Sequence, residues 1–218
     1  TEGGNKQVIT IRHETPDDYT TVENIIRQSF YNVYMPGCYE HYLAHIIHQH
    51  EDFIHELDFV LEKDGKIIGQ IMYTKAKLID ENKNEKVVLT FGPVCILPEY
   101  QKQGYGKRLI EYSMKEAYQL GYDTIVIMGH PRTYVRFGFQ SCKDLHVSLE
   151  NGKYPTALLV KTFVPHALDH HSWTYYESPA MAFDPQVAKD FDDSLEKIEK
   201  KHLASQDEFA IISRSFIE

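Results

Sequence analysis

The sequence is poor in the features that mark secreted, membrane-spanning and metal-rich proteins. Its three cysteines, Cys38, Cys95 and Cys142, are odd in number and lie far apart without a Cys-x-x-Cys pair, so they do not suggest a disulfide framework. No apolar run approaches the roughly 18 to 20 residues that cross a bilayer. Residues 1–5 have neither the basic start nor the apolar stretch of a signal peptide. We therefore expect a cytoplasmic protein that does not contact a membrane.

Basic charge is also scarce. The chain has 23 Lys and Arg against 32 Asp and Glu, a net charge of −9, whereas nucleic-acid-binding proteins usually carry a basic excess. We expect no nucleic-acid partner, and an anionic ligand would need a local basic pocket. Hydrophobic residues make up 42 % of the 218 positions, with 15 Tyr and 11 Phe, which is enough for the packed core of one domain.

The order of predicted elements indicates an α/β or α+β domain. We predict strands over 8–12, 59–62, 66–77, 86–96, 124–128 and 154–164, and helices from 16, over 39–49, from about 104 to 120 and over 131–137. Asp64 and Gly65 form a hairpin signal. Pro93 lacks a donor for the sheet and suggests a bulge. The short β-branched strand 124–128 suits a buried parallel position, so we expect a mixed sheet with helices on both faces.

The chain changes character after residue 164. We expect residues 1–164 to form the main domain and 165–218 to form a C-terminal extension that packs on it. Asp184 and Pro185 predict a helix start, with a charged helix to about Lys201. The aromatic residues Trp173, Tyr175 and Tyr176 either dock this extension, cover a cleft or form a dimer contact, and we favour docking. The sequence leaves open whether the protein is a monomer or a homodimer.

The loop before the third long helix carries the main functional signal. Glycine at 104 and 106, where a turn leads into a helix, leaves backbone N–H groups free to bind phosphate oxygens. Residues 99–108 hold three basic side chains and one acidic one, a local charge of +2 in an acidic chain. The loop is neither a Walker A motif nor a full dinucleotide fingerprint.

These residues resemble the GNAT N-acetyltransferase superfamily, whose signature is Gln/Arg-x-x-Gly-x-Gly/Ala shortly after a proline that closes the fourth strand. Here residues 92–106 read GPVCILPEYQKQGYG, and a second signature, an aromatic residue before Gly-Phe, is found over 134–139. Residues 11–18 also resemble the family's first strand and turn. The resemblance covers about residues 8–164 and is nearest to the YhbS-like group. It implies the acyl-CoA N-acyltransferase fold, a mixed, mostly antiparallel sheet flanked by helices.

The resemblance implies acetyl-CoA as co-substrate, lying where two strands part. The backbone N–H groups of Val94 and Ile96 would bind the pantetheine arm and the thioester oxygen, and the amides of 101–107 would hold the pyrophosphate. Cys95 would lie beside the thioester as a small strand residue. The implied cofactor-binding residues are Val94, Cys95, Ile96, Gln101, Lys102, Gln103, Gly104, Tyr105, Gly106 and Lys107.

Acetyl transfer also needs proton transfers and an oxyanion donor. Tyr134 matches the family tyrosine that protonates the departing thiolate. For the general base the sequence leaves Glu99, His130 or a water chain. Gly129-His130-Pro131 stands where related proteins often place an asparagine, which puts the cofactor contacts on that side in doubt.

The implied activity is N-acetyl transfer by direct attack in a ternary complex. The acceptor is left open among a small amine, an amino-sugar or antibiotic, and a peptide amine, and a longer acyl chain is also possible. The rival hypothesis is an acyl-CoA-binding sensory or structural module without efficient transfer.

Histidines and tyrosines cluster on the second predicted helix and just before it. His41, His45 and His48 recur at helical spacing, but no carboxylate or cysteine nearby in the sequence completes a metal site. We therefore expect no metal, and a polar helix face or part of the acceptor pocket instead. Tyr31, Tyr34, Tyr39 and Tyr42 lie where such folds shape the acceptor pocket, although core packing explains them equally well.

Overall fold

The computed structural model describes residues 6–218 as a mixed sheet packed against helices. Its strands are β1 (Ile9–His13), β2 (Phe59–Lys63), β3 (Lys66–Asp80), β4 (Glu85–Ile96), β5 (Thr124–Met128), β6 (Gln140–Ser141), β7 (Val147–Ser148), β8 (Tyr154–Pro155), β9 (Leu158–Thr162), β10 (Trp173–Tyr176) and β11 (Phe216–Ile217). Its helices are α1 (Tyr19–Phe30), α2 (Glu40–Ile47), α3 (Tyr105–Gln119), α4 (Pro131–Tyr134), α5 (Pro185–Asp193) and α6 (Ala204–Ile212). The interpretation of residues 1–5 falls outside the described part. Within 6–218, no helix is both long and apolar enough to span a bilayer.

The main sheet runs in the order β1-β2-β3-β4-β5-β9-β6. Along this path neighbouring strands are antiparallel except β4 and β5, which are parallel. The predicted mixed sheet and the parallel position of β5 are therefore confirmed. The turn between β2 and β3 has positive φ at both Asp64 (50°) and Gly65 (81°), the backbone that a two-residue hairpin requires.

Two amphipathic helices cover this sheet. α1 buries Val22, Ile25 and Ile26, while the buried positions of α3 include Leu109 and Met114, and these side chains join the main apolar core. A polar contact adds to the packing, because the hydroxyl of the fully buried Tyr73 lies 2.8 Å from Ser113 Oγ. The apolar side chains of each helix therefore lie on the face that packs on the sheet.

The C-terminal half departs from the prediction in three ways. The expected strand over 154–164 is divided, since β8 pairs with β11 and β9 pairs with β5. The helix that starts at Pro185 ends at Asp193 rather than near Lys201. Beyond it, the carbonyls of residues 198 and 199 accept hydrogen bonds from the side chains of Tyr31 and Asn32, which follow α1. The strands β6, β7, β10 and β11 were not predicted, because strands of two to four residues depend on their partners more than on their own sequence.

The segment after residue 164 contacts the rest of the protein through a sheet pairing and a buried ion pair. β10 runs antiparallel to β3 over Trp173 to Tyr176. On α5, Asp192 Oδ1 accepts a 2.7 Å bond from Arg27 Nε and lies 3.0 Å from His41 Nε2. Both partners of the Arg27 pair are almost fully buried. The division at residue 164 stays a prediction.

Two of the three histidines expected on a polar helix face are buried. His41 and His48 are buried and face carboxylates of different elements, so the prediction is wrong for these two. His48 Nε2 lies 3.1 Å from Glu14 Oε2, and Asp58 is the third member of this cluster. Ligand-type atoms of the three residues lie within 4.8 Å of one another. Carboxylates from other parts of the sequence thus lie beside His48, although none was expected to join the histidines. The absence of a metal stays a prediction.

Replacing Asp192 should detach the C-terminal segment from the main domain. Asp192→Asn leaves the buried guanidinium of Arg27 without its counter-charge, and we expect the free energy of unfolding to fall by about 3 kcal/mol. Urea unfolding followed by the fluorescence of Trp173, the single tryptophan, measures this. The control is Asp193→Asn, whose half-exposed carboxylate pairs with Lys189 and should change the stability by less than about 1 kcal/mol. Equal losses in the two variants would contradict the docking role.

The Glu14–Asp58 pair should give stability a dependence on pH. Burial raises the pKa of Glu14 to about 7, and burial with the Glu14 contact raises that of Asp58. Between about pH 4.5 and 7 the folded protein therefore binds more protons at this pair than the unfolded chain, so the pair destabilises the fold as pH rises.

Burial lowers the pKa of His41 and His48. These two histidines therefore make the fold more stable as pH rises over part of this range, opposite to the effect of the carboxyl pair. The comparison of Glu14→Gln with wild type isolates the carboxyl contribution. We expect the variant to gain about 1 to 3 kcal/mol relative to wild type between pH 5 and 7. Chemical denaturation at three pH values measures the free energy of unfolding of both proteins. A difference between them that does not change with pH would contradict the raised pKa of Glu14.

Candidate active site

The site is built where β4 and β5 part. The two strands pair at a single position, Leu89 with Ile125. Further along β4 the register with β3 shifts, since Gly92 and Pro93 together stand opposite Met72. The predicted bulge is thus confirmed, and an extra residue in one strand bends that strand. The result is a gap between the end of β4 and the end of β5.

Backbone donors of β4 face this gap. The N–H of Leu97 donates to Ile68 O at 2.8 Å, which places it on the β3 side. Because N–H directions alternate along a strand, those of Val94 and Ile96 point away from β3, as the binding of a pantetheine arm would require. The carbonyl of Ile96 lies on the same side and accepts a 2.9 Å bond from Gln101 Nε2.

Cys95 lies between these two residues and is not activated. Its side chain is buried, Gln70 Nε2 lies 3.5 Å from the sulfur, and burial raises the pKa of the thiol to about 11. A thiol that stays protonated at neutral pH is a poor nucleophile. The structure therefore favours the interpretation of Cys95 as a small strand residue beside the gap.

A cavity of about 910 Å³, the basic cavity, extends from this gap to the start of α3. Its charged lining residues are Lys102, Lys107 and Arg136, and none of its described lining residues is an Asp or a Glu. The implied cofactor residues that line it are Val94, Cys95, Ile96, Gln101, Lys102, Gly104, Tyr105, Gly106 and Lys107. Gln103 is the exception, because its side chain turns back to the carbonyl of Glu99 at 3.3 Å.

The N-terminus of α3 forms the basic end of this cavity. Gly104 adopts φ +86°, a conformation that side chains other than glycine rarely accept, and Tyr105 begins the helix. The first-turn N–H groups have no partner inside the helix, and the helix dipole adds positive potential there. Gly106 differs, since a Cβ at this position would only touch Ile96 at 3.7 Å. Contacts within the protein therefore do not require glycine at 106, and its missing side chain leaves space on the cavity side.

A second cavity of about 340 Å³, the acidic cavity, lies beside the first. Its carboxylates come from Glu40, the first residue of α2, and Glu177, the residue after β10. Burial raises the pKa of each. None of the described residues that line this cavity is a Lys or an Arg. The residues common to both cavities are Phe30, Tyr34, Val94, Thr133 and Tyr134.

Tyr134 stands at this junction, and its ring is fixed by its neighbours. Phe91 and Phe139 lie 5.8 and 5.9 Å from it between ring centroids. A Cβ on Gly129 would come within 2.5 Å of the Tyr134 ring, so glycine at this turn makes room for the tyrosine. Burial raises the pKa of Tyr134 to about 12, and the hydroxyl therefore stays protonated and able to donate.

The structure supports neither predicted base. Glu99 is exposed on a short 3-10 helix after β4, and it lines neither cavity. His130 does line the acidic cavity, but its Nδ1 accepts the N–H of Arg132 at 3.2 Å as the cap of α4. The neutral ring then carries its proton on Nε2 and has no free lone pair.

The aromatic residues divide between packing and the site. Tyr34 lines both cavities and Tyr31 only the basic one, whereas Tyr39 and Tyr42 pack on Phe183. In the C-terminal segment, Trp173 donates to Leu168 O at 3.0 Å in a second apolar core. Tyr175 is also buried there, yet it lines the acidic cavity. The preference for docking alone therefore missed that this segment forms a wall of the site.

Comparison with known proteins agrees with this geometry. The acetyltransferase (GNAT) family profile matches residues 19–139. The chain is 31 % identical to the uncharacterized N-acetyltransferase YjhQ of Escherichia coli K12 over 86 residues, which are 39 % of this chain and 47 % of that protein. It is 27 % identical to the uncharacterized N-acetyltransferase YhbS of the same strain over 131 residues, 60 % of this chain and 72 % of that protein. The chain thus spans about half the length of the first relative.

Solved structures show the same fold. YhbS from Escherichia coli in complex with CoA superposes with a TM-score of 0.70 at 19 % identity, covering 83 % of this chain and 96 % of that one. A GNAT family acetyltransferase from Brucella melitensis in complex with acetyl-CoA gives a TM-score of 0.63 at 22 % identity, covering 80 % and 98 %. At these identities the likeness establishes the fold, and the predicted fold class is confirmed.

Proposed function

The chain belongs to the GNAT acetyltransferase family, and on that premise we propose that it transfers an acetyl group from acetyl-CoA to a primary amine while both are bound. The observation that carries the proposal is the meeting of two cavities of opposite charge at Tyr134. A basic cavity suits a polyanionic cofactor, and an acidic one suits a cationic amine.

The basic cavity offers what each part of CoA requires. Its phosphates would bind the free N–H groups at the start of α3 together with Lys102 and Lys107. The pantetheine arm would follow β4 and bond to the outward N–H groups of Val94 and Ile96, as a strand added to the open edge would. The complexes of YhbS with CoA and of the Brucella protein with acetyl-CoA support the choice of this cofactor.

The chemistry then proceeds at the junction of the cavities. The amine nitrogen attacks the thioester carbon, so a C–N bond forms and the carbonyl oxygen gains negative charge, which a β4 N–H would stabilise. The C–S bond breaks as the intermediate collapses, and the Tyr134 hydroxyl gives its proton to the departing sulfur. The nitrogen of the intermediate loses its extra proton to a base, a proton from solvent restores the Tyr134 hydroxyl, and the products are CoA and the acetylated amine.

Cofactor binding should depend on the backbone of Gly104. Calorimetric titration with acetyl-CoA, CoA and dephospho-CoA should give low-micromolar binding to the wild type. Gly104→Asp puts a carboxylate at the phosphate site and strains a positive φ, so it should abolish that binding. The matched control is Gly152→Asp, because Gly152 has a similar φ of +77° and open space around it. Absence of acetyl-CoA binding to the folded wild type, or equal losses in both variants, would refute the assignment.

Turnover should depend on the hydroxyl of Tyr134. Tyr134→Phe keeps the ring that packs on Phe91 but removes the proton donor. We expect kcat to fall about 100-fold with the affinity for acetyl-CoA unchanged, measured by thiol release and calorimetry. Tyr118→Phe, which removes a hydroxyl from a half-exposed tyrosine on α3, serves as control. An acyl-CoA-binding module would show the same negligible thiol release in both variants as in the wild type.

A further inference from the structure

We infer that the acceptor is a small primary amine without a carboxylate or phosphate, held as a cation by Glu40 and Glu177 in the acidic cavity. The inference rests on the proposed function and specifies its substrate class. It also assigns the base, since Glu40 takes the proton that the ammonium must lose before attack. The two carboxylates come from parts of the chain 137 residues apart, α2 and the C-terminal segment, and neither was predicted from the sequence.

The first argument is the charge of the acidic cavity. Glu40 and Glu177 line it without a Lys or an Arg among its described lining residues. The carboxylate of a free amino acid would enter this space with no Lys or Arg to pair with and with two like charges nearby, and burying such an ion without a counter-charge is costly. An amine that lacks this group meets only favourable charges. The cavity therefore selects against anionic acceptors as well as for cationic ones.

The second argument is the state of the two carboxylates. Burial disfavours their charged forms and raises the pKa of both. The Oε2 atom of Glu40 accepts the N–H of Tyr39 at 3.1 Å, and the side chain has no basic partner recorded within the described chain. A bound ammonium would supply the missing counter-charge, so the cavity gains most from a cation. A carboxylate of raised pKa is also a stronger base for removing a proton.

The third argument assigns roles to the two carboxylates by position. Glu40 and Tyr34 line the acidic cavity together, and Tyr34 is one of the residues that also line the basic cavity with Tyr134. Burial and the nearby charge of Glu40 raise the pKa of Tyr34, so Glu40 lies on the side of this junction. Glu177 lies next to Tyr175 at the edge of the acidic cavity, where its side chain is partly exposed and also lines a third cavity. Glu40 is therefore suited to accept the proton and Glu177 to bind the cation.

The last argument is the size and polarity of the walls. A volume of about 340 Å³ lies near the lower end of the range of roughly 300 to 1,000 Å³ for ligand pockets. Phe30, Leu43, Phe91 and Met181 supply apolar contacts, and tyrosine rings beside the carboxylates add a favourable surface for a cation. A monoamine or diamine with an apolar body fits these walls.

Matched pairs of amines and their parent amino acids test the inference: tyramine with tyrosine, tryptamine with tryptophan, agmatine with arginine, and putrescine with ornithine. With acetyl-CoA saturating, thiol release should give at least one amine a kcat/KM about 10-fold or more above that of its amino acid, a difference of about 1.4 kcal/mol. For that amine, Glu177→Gln should raise KM about 10-fold, and Glu40→Gln should lower kcat about 100-fold. Glu85→Gln, a half-exposed carboxylate at the start of β4, should change neither value.

Acetyl-CoA affinity, measured on each variant by calorimetry, separates the possible failures. Wild-type protein that does not bind acetyl-CoA would overturn the proposed function itself. Protein that binds it but acetylates the amino acids as well as the amines, or accepts no amine and binds none in the presence of CoA, would overturn this inference alone. Unchanged amine kinetics in Glu40→Gln and Glu177→Gln with intact acetyl-CoA binding would do the same.

Discussion

The parting of β4 and β5 is the constraint on which the rest of the site depends. β4 and β5 pair at one position, after which the bulge at Gly92 and Pro93 turns β4 away from β5. The backbone of β4 beyond the bulge is therefore not paired with β5. The gap exposes the N–H groups of two β4 residues and gives the two cavities a common wall. It also sets the start of α3 beside the end of β4, so the free N–H groups of the helix start and the strand residues line one cavity.

Charge is distributed around this gap in a way that the overall composition conceals. A chain of net charge −9 keeps Lys102, Lys107 and Arg136 around one cavity and Glu40 and Glu177 around the other. The two cavities meet at Tyr134, which lines both and whose hydroxyl is neutral because burial raises its pKa to about 12. The C-terminal segment is part of this arrangement, because the pairing of β10 with β3 places Tyr175 and Glu177 at the acidic cavity. The buried pair of Arg27 and Asp192 holds the same segment from its other end.

The sequence predicted the parts of the site that depend on local backbone. Gly104 could be identified because a left-handed residue before a helix almost demands glycine, and Pro93 because it cannot donate within a sheet. Tyr134 was found through its spacing to Gly138 and Phe139, and the gap in the sheet through the family resemblance. The prediction failed where a side chain's direction mattered. Glu99 points to solvent, His130 caps a helix, and His41 and His48 are buried against carboxylates that are distant in the sequence.

The sequence by itself therefore determined the family, the mixed sheet with its parallel step and the glycine-containing start of α3, since each of these rests on short motifs and strand patterns within the sequence. Only the tertiary structure decided which acids serve the site. Glu40 and Glu177 are ordinary residues in their own segments, one beginning a helix and the other following a short strand. Their chemistry comes from being brought to one cavity and partly removed from water, and the loss of hydration that raises their pKa depends on neighbours that no local pattern specifies.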